Sequence, residues 1–109
     1  METSGSRSQP SSDDDLVAVG PVLTPGPLTD AIIAAIRAAH RDARVVDRGA
    51  YLRVLVPHRC FLDGARVQEL AKAAFALPGD LEAIMPSFRG RLTIAGNQAF
   101  WEAARRPSP

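Results

Sequence analysis

Residues 43–57 read ARVVDRGAYLRVLVP, and the way this stretch divides decides the fold. Two strand-like runs flank Asp47-Arg48-Gly49, a combination that marks a turn or bulge between them. In the second run Ala50, Leu52, Val54 and Val56 fall on one side and Tyr51, Arg53 and Leu55 on the other, because side chains alternate along a strand. One face is core and the other is mixed. The apolar face needs a cover from elsewhere in the chain.

Upstream, Thr29 is placed to cap a helix, with Asp30 in its first turn and Leu28 and Ile33 positioned as a hydrophobic staple. Leu28, Ala31, Ile32, Ala35, Ile36 and Ala39 recur at the spacing of one helical face, while Arg37, Arg41 and Asp42 fall elsewhere. That alanine-rich stripe suits close packing on a sheet. Residues 16–23, LVAVGPVL, are broken by Gly20-Pro21 and so read as an edge strand or an extended lead-in, since proline cannot donate to a ladder.

Downstream, residues 59–63, RCFLD, continue the sheet until Asp63 caps a second helix. Its stripe is Val67, Leu70, Ala71, Ala74 and Phe75, and it stops before Pro78-Gly79. Residues 80–86, DLEAIMP, fit a helical turn or a loop, because the residue before a proline is pushed towards extended geometry. Beyond them Phe88, Gly90, Leu92 and Ile94 alternate with Arg89, Arg91 and Thr93, and Gly96-Asn97 turns into a last strand through Phe100 and Trp101. The order is β-α-β-β twice. The expected fold class is α+β, with two β-α-β-β units packed as one small domain over 16–104, a flexible, disordered acidic arm at 1–15 and a frayed C-terminus at 105–109.

At 109 residues the chain has room for one modest core and none for a second. Arg7 against Glu2, Asp13, Asp14 and Asp15 leaves the arm at −3, so the remainder carries +4 of the net +1. The arm has no apolar periodicity with which to offset its ordering entropy. It also lacks the basic start and apolar centre of a secretory signal, and no run approaches the roughly 20 apolar residues of a membrane span, so the chain reads as cytoplasmic.

Reactive chemistry is sparse. Cys60 is the single cysteine, which excludes an internal disulfide and any multi-cysteine metal site, and it reads as a buried, inert thiol. His40 and His58 have no partners at ligand spacing, and no Glu-x-x-His pair is present from which to build a di-iron centre. No Gly-rich phosphate loop follows a strand. The chain reads as a non-enzyme with no catalytic residue, no metal and no cofactor. Arg44, Arg48, Arg53, Arg89 and Arg91 come from three strand-like segments and are placed to converge on one sheet face. A small nucleic-acid-binding module using that face is the alternative reading, although Tyr51 is the only aromatic to share a strand face with an arginine, and single-strand binders interleave several.

Four segments in order, VGPVL, DAIIAAI, VVDRGAYLRV and LEAIMPSFRGRL, resemble the effector proteins of soluble bacterial multicomponent di-iron monooxygenases, the methane monooxygenase component B and phenol hydroxylase component M family. The resemblance spans roughly residues 17–102. It implies a small metal-free regulatory or coupling protein that docks on the di-iron hydroxylase and controls oxygen activation, substrate access and the coupling of NADH use to hydroxylation or epoxidation. A reductase, and in some systems a ferredoxin, would complete the assembly. It further implies that Ile84, Met85, Pro86, Ser87 and Phe88 lie at the surface that meets the hydroxylase, with Arg48 and Arg53 contributing to docking. Many relatives carry asparagine where this chain has Ile84, and Pro86 stiffens the loop. Within the segment, Phe88 and Gly90 read as core and backbone-geometry residues, and Met85 and Ser87 as the better contacts.

Overall fold

A computed structural model describes residues 17–103; the arm at 1–15 and the terminus at 105–109 lie outside the described residues. The elements are β1 (Ala18–Leu23), α1 (Pro27–Ala39), β2 (Arg44–Asp47), β3 (Leu52–Pro57), β4 (Arg59–Asp63), α2 (Gly64–Ala71), α3 (Gly79–Glu82), β5 (Ser87–Arg89), β6 (Arg91–Ala95) and β7 (Gln98–Glu102). They form a four-stranded sheet in the order β2-β3-β1-β5 and a three-stranded sheet in the order β4-β7-β6, with every paired strand antiparallel. The inner faces of both sheets and the helices enclose one core, which includes Val19, Leu23, Ile32, Ile36, Val54, Val56, Leu62 and Trp101. The α+β expectation holds, as does the hairpin on which it was built.

In that hairpin the Gly49 N–H donates to Asp47 Oδ1 (2.7 Å) and the Arg48 N–H to the Tyr51 carbonyl (2.9 Å), while Gly49 takes a φ of +82°. Val54 and Val56 face the core as expected, but Ala50 stays exposed in the turn.

Four expectations change. First, β1 is a central strand, not an edge or a lead-in. Its ladder to β3 pairs Ala18, Val19, Val22 and Leu23 and lapses at Gly20-Pro21, so the donor that Pro21 lacks falls in a gap. Gly20 makes the close approach possible: at φ +146°, a Cβ there would stand far inside contact distance of the Val54 carbonyl oxygen.

Second, α1 begins earlier than Thr29. Pro27 occupies its first turn behind Gly26, where a missing N–H costs nothing. Thr29 is buried within that turn, and its hydroxyl donates to the Thr24 carbonyl.

Third, residues 59–63 open the second sheet instead of continuing the first. The chain corners at His58, which has a φ of +69°, donates its N–H to the Val17 carbonyl (3.0 Å) and accepts from the Ala103 N–H (2.9 Å). Asp63 caps α2 as expected, accepting from the Ala65 N–H at 3.1 Å. The helix ends at Ala71 against a left-handed Lys72, short of the expected stop, and leaves Leu70 and Ala74 exposed.

Phe75 still reaches the core, but from an irregular segment held by Asn97. The Asn97 amide donates to the Phe75 carbonyl (3.2 Å) and accepts from the Leu77 N–H (2.9 Å). Asn97→Ala removes both bonds and leaves two partly buried backbone groups unpaired, at a cost of about 2 kcal/mol, or a fall of roughly 10 °C in melting temperature. A thermal melt followed by circular dichroism measures it; a change under about 2 °C would show that other contacts hold the segment.

Fourth, the run Phe88–Ile94 is two strands in two sheets. Gly90 separates them at φ +100°, packed so tightly that a Cβ would lie 2.7 Å from Val19 Cγ1 and 2.8 Å from the Glu102 carbonyl oxygen. The second β-α-β-β unit therefore carries a helical turn, α3, and a corner that alternation alone does not reveal.

Candidate functional site

The reactive side chains are built into the scaffold. Cys60 is fully buried and burial pushes its thiol up to about 12, so it holds no thiolate at neutral pH. Among the described residues no group of three or more His, Cys, Asp or Glu side chains is placed to hold a metal ion. A hollow of about 140 Å³ between α1 and the start of α2, lined by Ala35, Ala38, Ala39, Phe61, Asp63 and Arg66, is well below the several hundred Å³ typical of small-molecule sites. None of the described helices is long and apolar enough to cross a membrane.

His40 also has a structural position. It ends α1, and its Nε2 accepts the Phe61 N–H of the edge strand β4 at 2.8 Å, which requires the neutral ring. Burial lowers its pKa from 6.5, opposed by Asp42 and reinforced by Arg59. Because the folded pKa lies below the unfolded one, the unfolded chain binds more protons below pH 6.5. The stability His40 contributes is thus complete above pH 6.5 and is lost as pH falls through its lowered folded pKa. His40→Gln should flatten that part of a curve of urea-unfolding stability against pH; an unchanged curve would assign the pH dependence to other groups.

The segments singled out for docking meet at one end of the four-stranded sheet. The β2–β3 turn carries Arg48 and Tyr51, and the register places Leu52 opposite both Asp47 and Leu23 at that same end. There the Thr24 N–H donates to the Ile84 carbonyl at 2.9 Å, which seats residues 84–86 beside the end of β1 and leads the chain into β5. Arg53 and Ser87 both lie opposite Val22, so they share the face turned away from the core, two strand spacings or about 10 Å apart. Pro86, Ser87 and Phe88 are exposed, and Ile84 is half-buried against the core.

Within the segment the burial of Met85 and Phe88 is the reverse of the expectation. Met85 is 9 % exposed and joins the core, whereas Phe88 is 40 % exposed on the edge strand β5. Phe88 stands opposite Pro21 with no further strand beside it, so alternation gives it the inward direction without a neighbour to bury it. Tyr51, 36 % exposed beside the same turn as Arg48, is a surface aromatic that the docking set lacked. Its signal was its place directly after a turn glycine and alanine on the mixed face. Thr24, which fixes Ile84, had no local signal. Of the five arginines, Arg44, Arg53 and Arg89 share the outer face by register; Arg48 lies in the turn, and Arg91 belongs to the other sheet.

Residues 17–102, which take in every strand and helix described above, match the model of one family. The chain belongs to the MmoB/DmpM family. A relative within reach of direct sequence comparison is the effector subunit of the alkene monooxygenase system of Xanthobacter autotrophicus (strain ATCC BAA-1158 / Py2), 34 % identical over 91 residues that cover 82 % of this chain and 89 % of that protein. A chain in the solved structure of a phenol hydroxylase–regulatory protein complex superposes with a TM-score of 0.70 over 81 % of this chain and 99 % of its own length. At 12 % identity that likeness establishes the shared MmoB/DmpM fold alone.

Proposed function

We propose that this chain docks on the di-iron hydroxylase of a multicomponent monooxygenase through the end of the four-stranded sheet that carries Arg48, Tyr51, Arg53 and residues 84–88. As a member of the MmoB/DmpM family it is an effector, the regulatory and non-catalytic component of such a system. The observation that carries the docking surface is the convergence of segments from two distant parts of the chain, tied by the Thr24–Ile84 hydrogen bond, around two exposed aromatics. Aromatics and arginines are the residue types that most often dominate interface energetics. The inert Cys60 supports a role that acts on the hydroxylase without chemistry in this chain.

Docking there changes the hydroxylase and so governs oxygen activation, substrate access and the coupling of NADH use to product. A reductase supplies electrons, with a ferredoxin where the system uses one. The alkene monooxygenase relative makes alkenes the first substrates to supply. The test is reconstitution: hydroxylase and reductase turned over with and without this chain, with NADH consumed and epoxide or alcohol formed measured together. A higher product-to-NADH ratio on addition is expected, and no activity from the chain alone. An unchanged rate and ratio in the complete system would overturn the reading.

A further inference from the structure

The two edges of the three-stranded sheet, β4 and β6, are treated differently by the chain. Ala95 and Gln98 pair across the Gly96-Asn97 turn, so their backbone N–H and C=O groups face each other. That direction alternates along a strand, which turns the backbone groups of Arg91, Thr93 and Ala95 towards β7 and those of Leu92 and Ile94 outward. Carried across β7, the same alternation turns the Phe61 N–H outward from β4, and there it donates to His40 Nε2 at 2.8 Å. The outward groups of β6 meet no such cover: among the described residues no strand lies beyond it. Arg91, Thr93 and Ala95 are exposed on its outer face, and Leu92 and Ile94, half-buried, pack inward against the core.

We propose that β6 pairs antiparallel with β6 of a second copy of this chain, joining two three-stranded sheets into one across a two-fold axis. A strand edge is a template for pairing unless proline, lysine or a bulge blunts it, and residues 91–95, RLTIA, hold none of these. The strand is also self-complementary in one register. Only outward-facing residues can exchange bonds across the new edge, so Leu92 and Ile94 must stand opposite Leu92 or Ile94. Centring on Thr93 sets Leu92 opposite Ile94 of the second copy and pairs all of 91–95, whereas centring on Leu92 or on Ile94 leaves part of the strand unpaired. In the Thr93 register apolar side chains meet on the inner face. On the outer face Thr93 meets Thr93 and Arg91 meets Ala95, so no like charges stand opposite each other. A contact made chiefly by one five-residue strand pair belongs with the small interfaces, below about 1,200 Å², that associate transiently. The pairing does not depend on where the hydroxylase docks.

Sedimentation of the full chain tests it. The mass should rise from monomer towards dimer between about 10 µM and 1 mM. Thr93→Lys and Thr93→Glu each set like charges opposite each other and should keep the chain monomeric over that range, while an equimolar mixture of the two should recover the dimer. Thr93 is exposed, so circular dichroism should show both variants folded as the parent is. A cysteine pair fixes the register. Thr93→Cys should cross-link copy to copy under mild oxidation, since position 93 then lies about 4.5 Å from itself between Cα atoms. Ala95→Cys should not, because it stands opposite position 91 and about 13 Å from its own counterpart. Cys60, buried and protonated, takes no part. A parent that stays monomeric at the highest concentration, or a dimer that both charged variants retain, would overturn the proposal. So would a mixture no more dimeric than either variant alone. Exchange protection of the Leu92 and Ile94 amides that appears only on adding hydroxylase would overturn it as well, by giving the edge to that protein.

Discussion

Gly20→Ala should lower the melting temperature by more than about 15 °C. Two costs combine. At φ +146° an L side chain is strained, and the new Cβ would be driven into the Val54 carbonyl, a backbone atom in the middle of the same sheet that cannot swing aside. Strain of this kind costs about 1–3 kcal/mol and overpacking a similar amount, against a total stability of about 5–15 kcal/mol for such a domain. Each kcal/mol moves the midpoint by about 4–8 °C in a domain of this size. A thermal melt within a few degrees of the parent would mean that β1 and β3 separate at low cost, and that Pro21 is not held in the gap as described.

Phe88→Ala should lower the melt by no more than about 8 °C, in keeping with its partial cover, and weaken binding to the hydroxylase about 10- to 100-fold, the loss expected when a central aromatic anchor is truncated. Phe88 is two-fifths exposed on a strand edge, so its removal costs the free domain little. Met85→Ala is the control. It opens a cavity in the core and should cost about 2–4 kcal/mol of stability. Binding of the folded fraction should be affected far less. Titration of hydroxylase with each variant separates the two; equal affinity for Phe88→Ala and parent would remove Phe88 from the docking surface.

The inversion of Met85 and Phe88 shows where sequence reasoning stopped. Alternation gives a side chain's direction but not the neighbour that buries it, and Phe88 turns inward on an edge strand with no strand beyond it. At Gly90 the chain leaves one sheet for the other, so Phe88 and Leu92 belong to different surfaces although they keep a common phase in sequence. Pro21 misled in a related way: a missing donor argues for an edge only if the neighbouring ladder is continuous, and the lapse beside Gly20 is a tertiary fact. By contrast the Asp47–Gly49 turn, the Asp63 cap and the α1 stripe are local, fixed by chemistry within a few residues, and all three are legible. The docking set came from family resemblance. Only the fold reveals that its two halves, Arg48 with Arg53 and residues 84–88, are neighbours.

The strand that brings the second half to the surface is joined to the rest by little. β5 is three residues long, and its pairing with β1 links positions 65 to 69 residues apart, from Val22–Ser87 to Gly20–Arg89. Ordering so long a loop is entropically costly, and three exposed residues return little for it. Among the described strands β5 is therefore expected to open locally at the lowest cost, with the fastest backbone amide exchange, and its release should leave the other strands intact. The effector can meet its partner with a rigid body and one detachable strand. Conformational adjustment on binding would then be confined to the residues proposed for the contact.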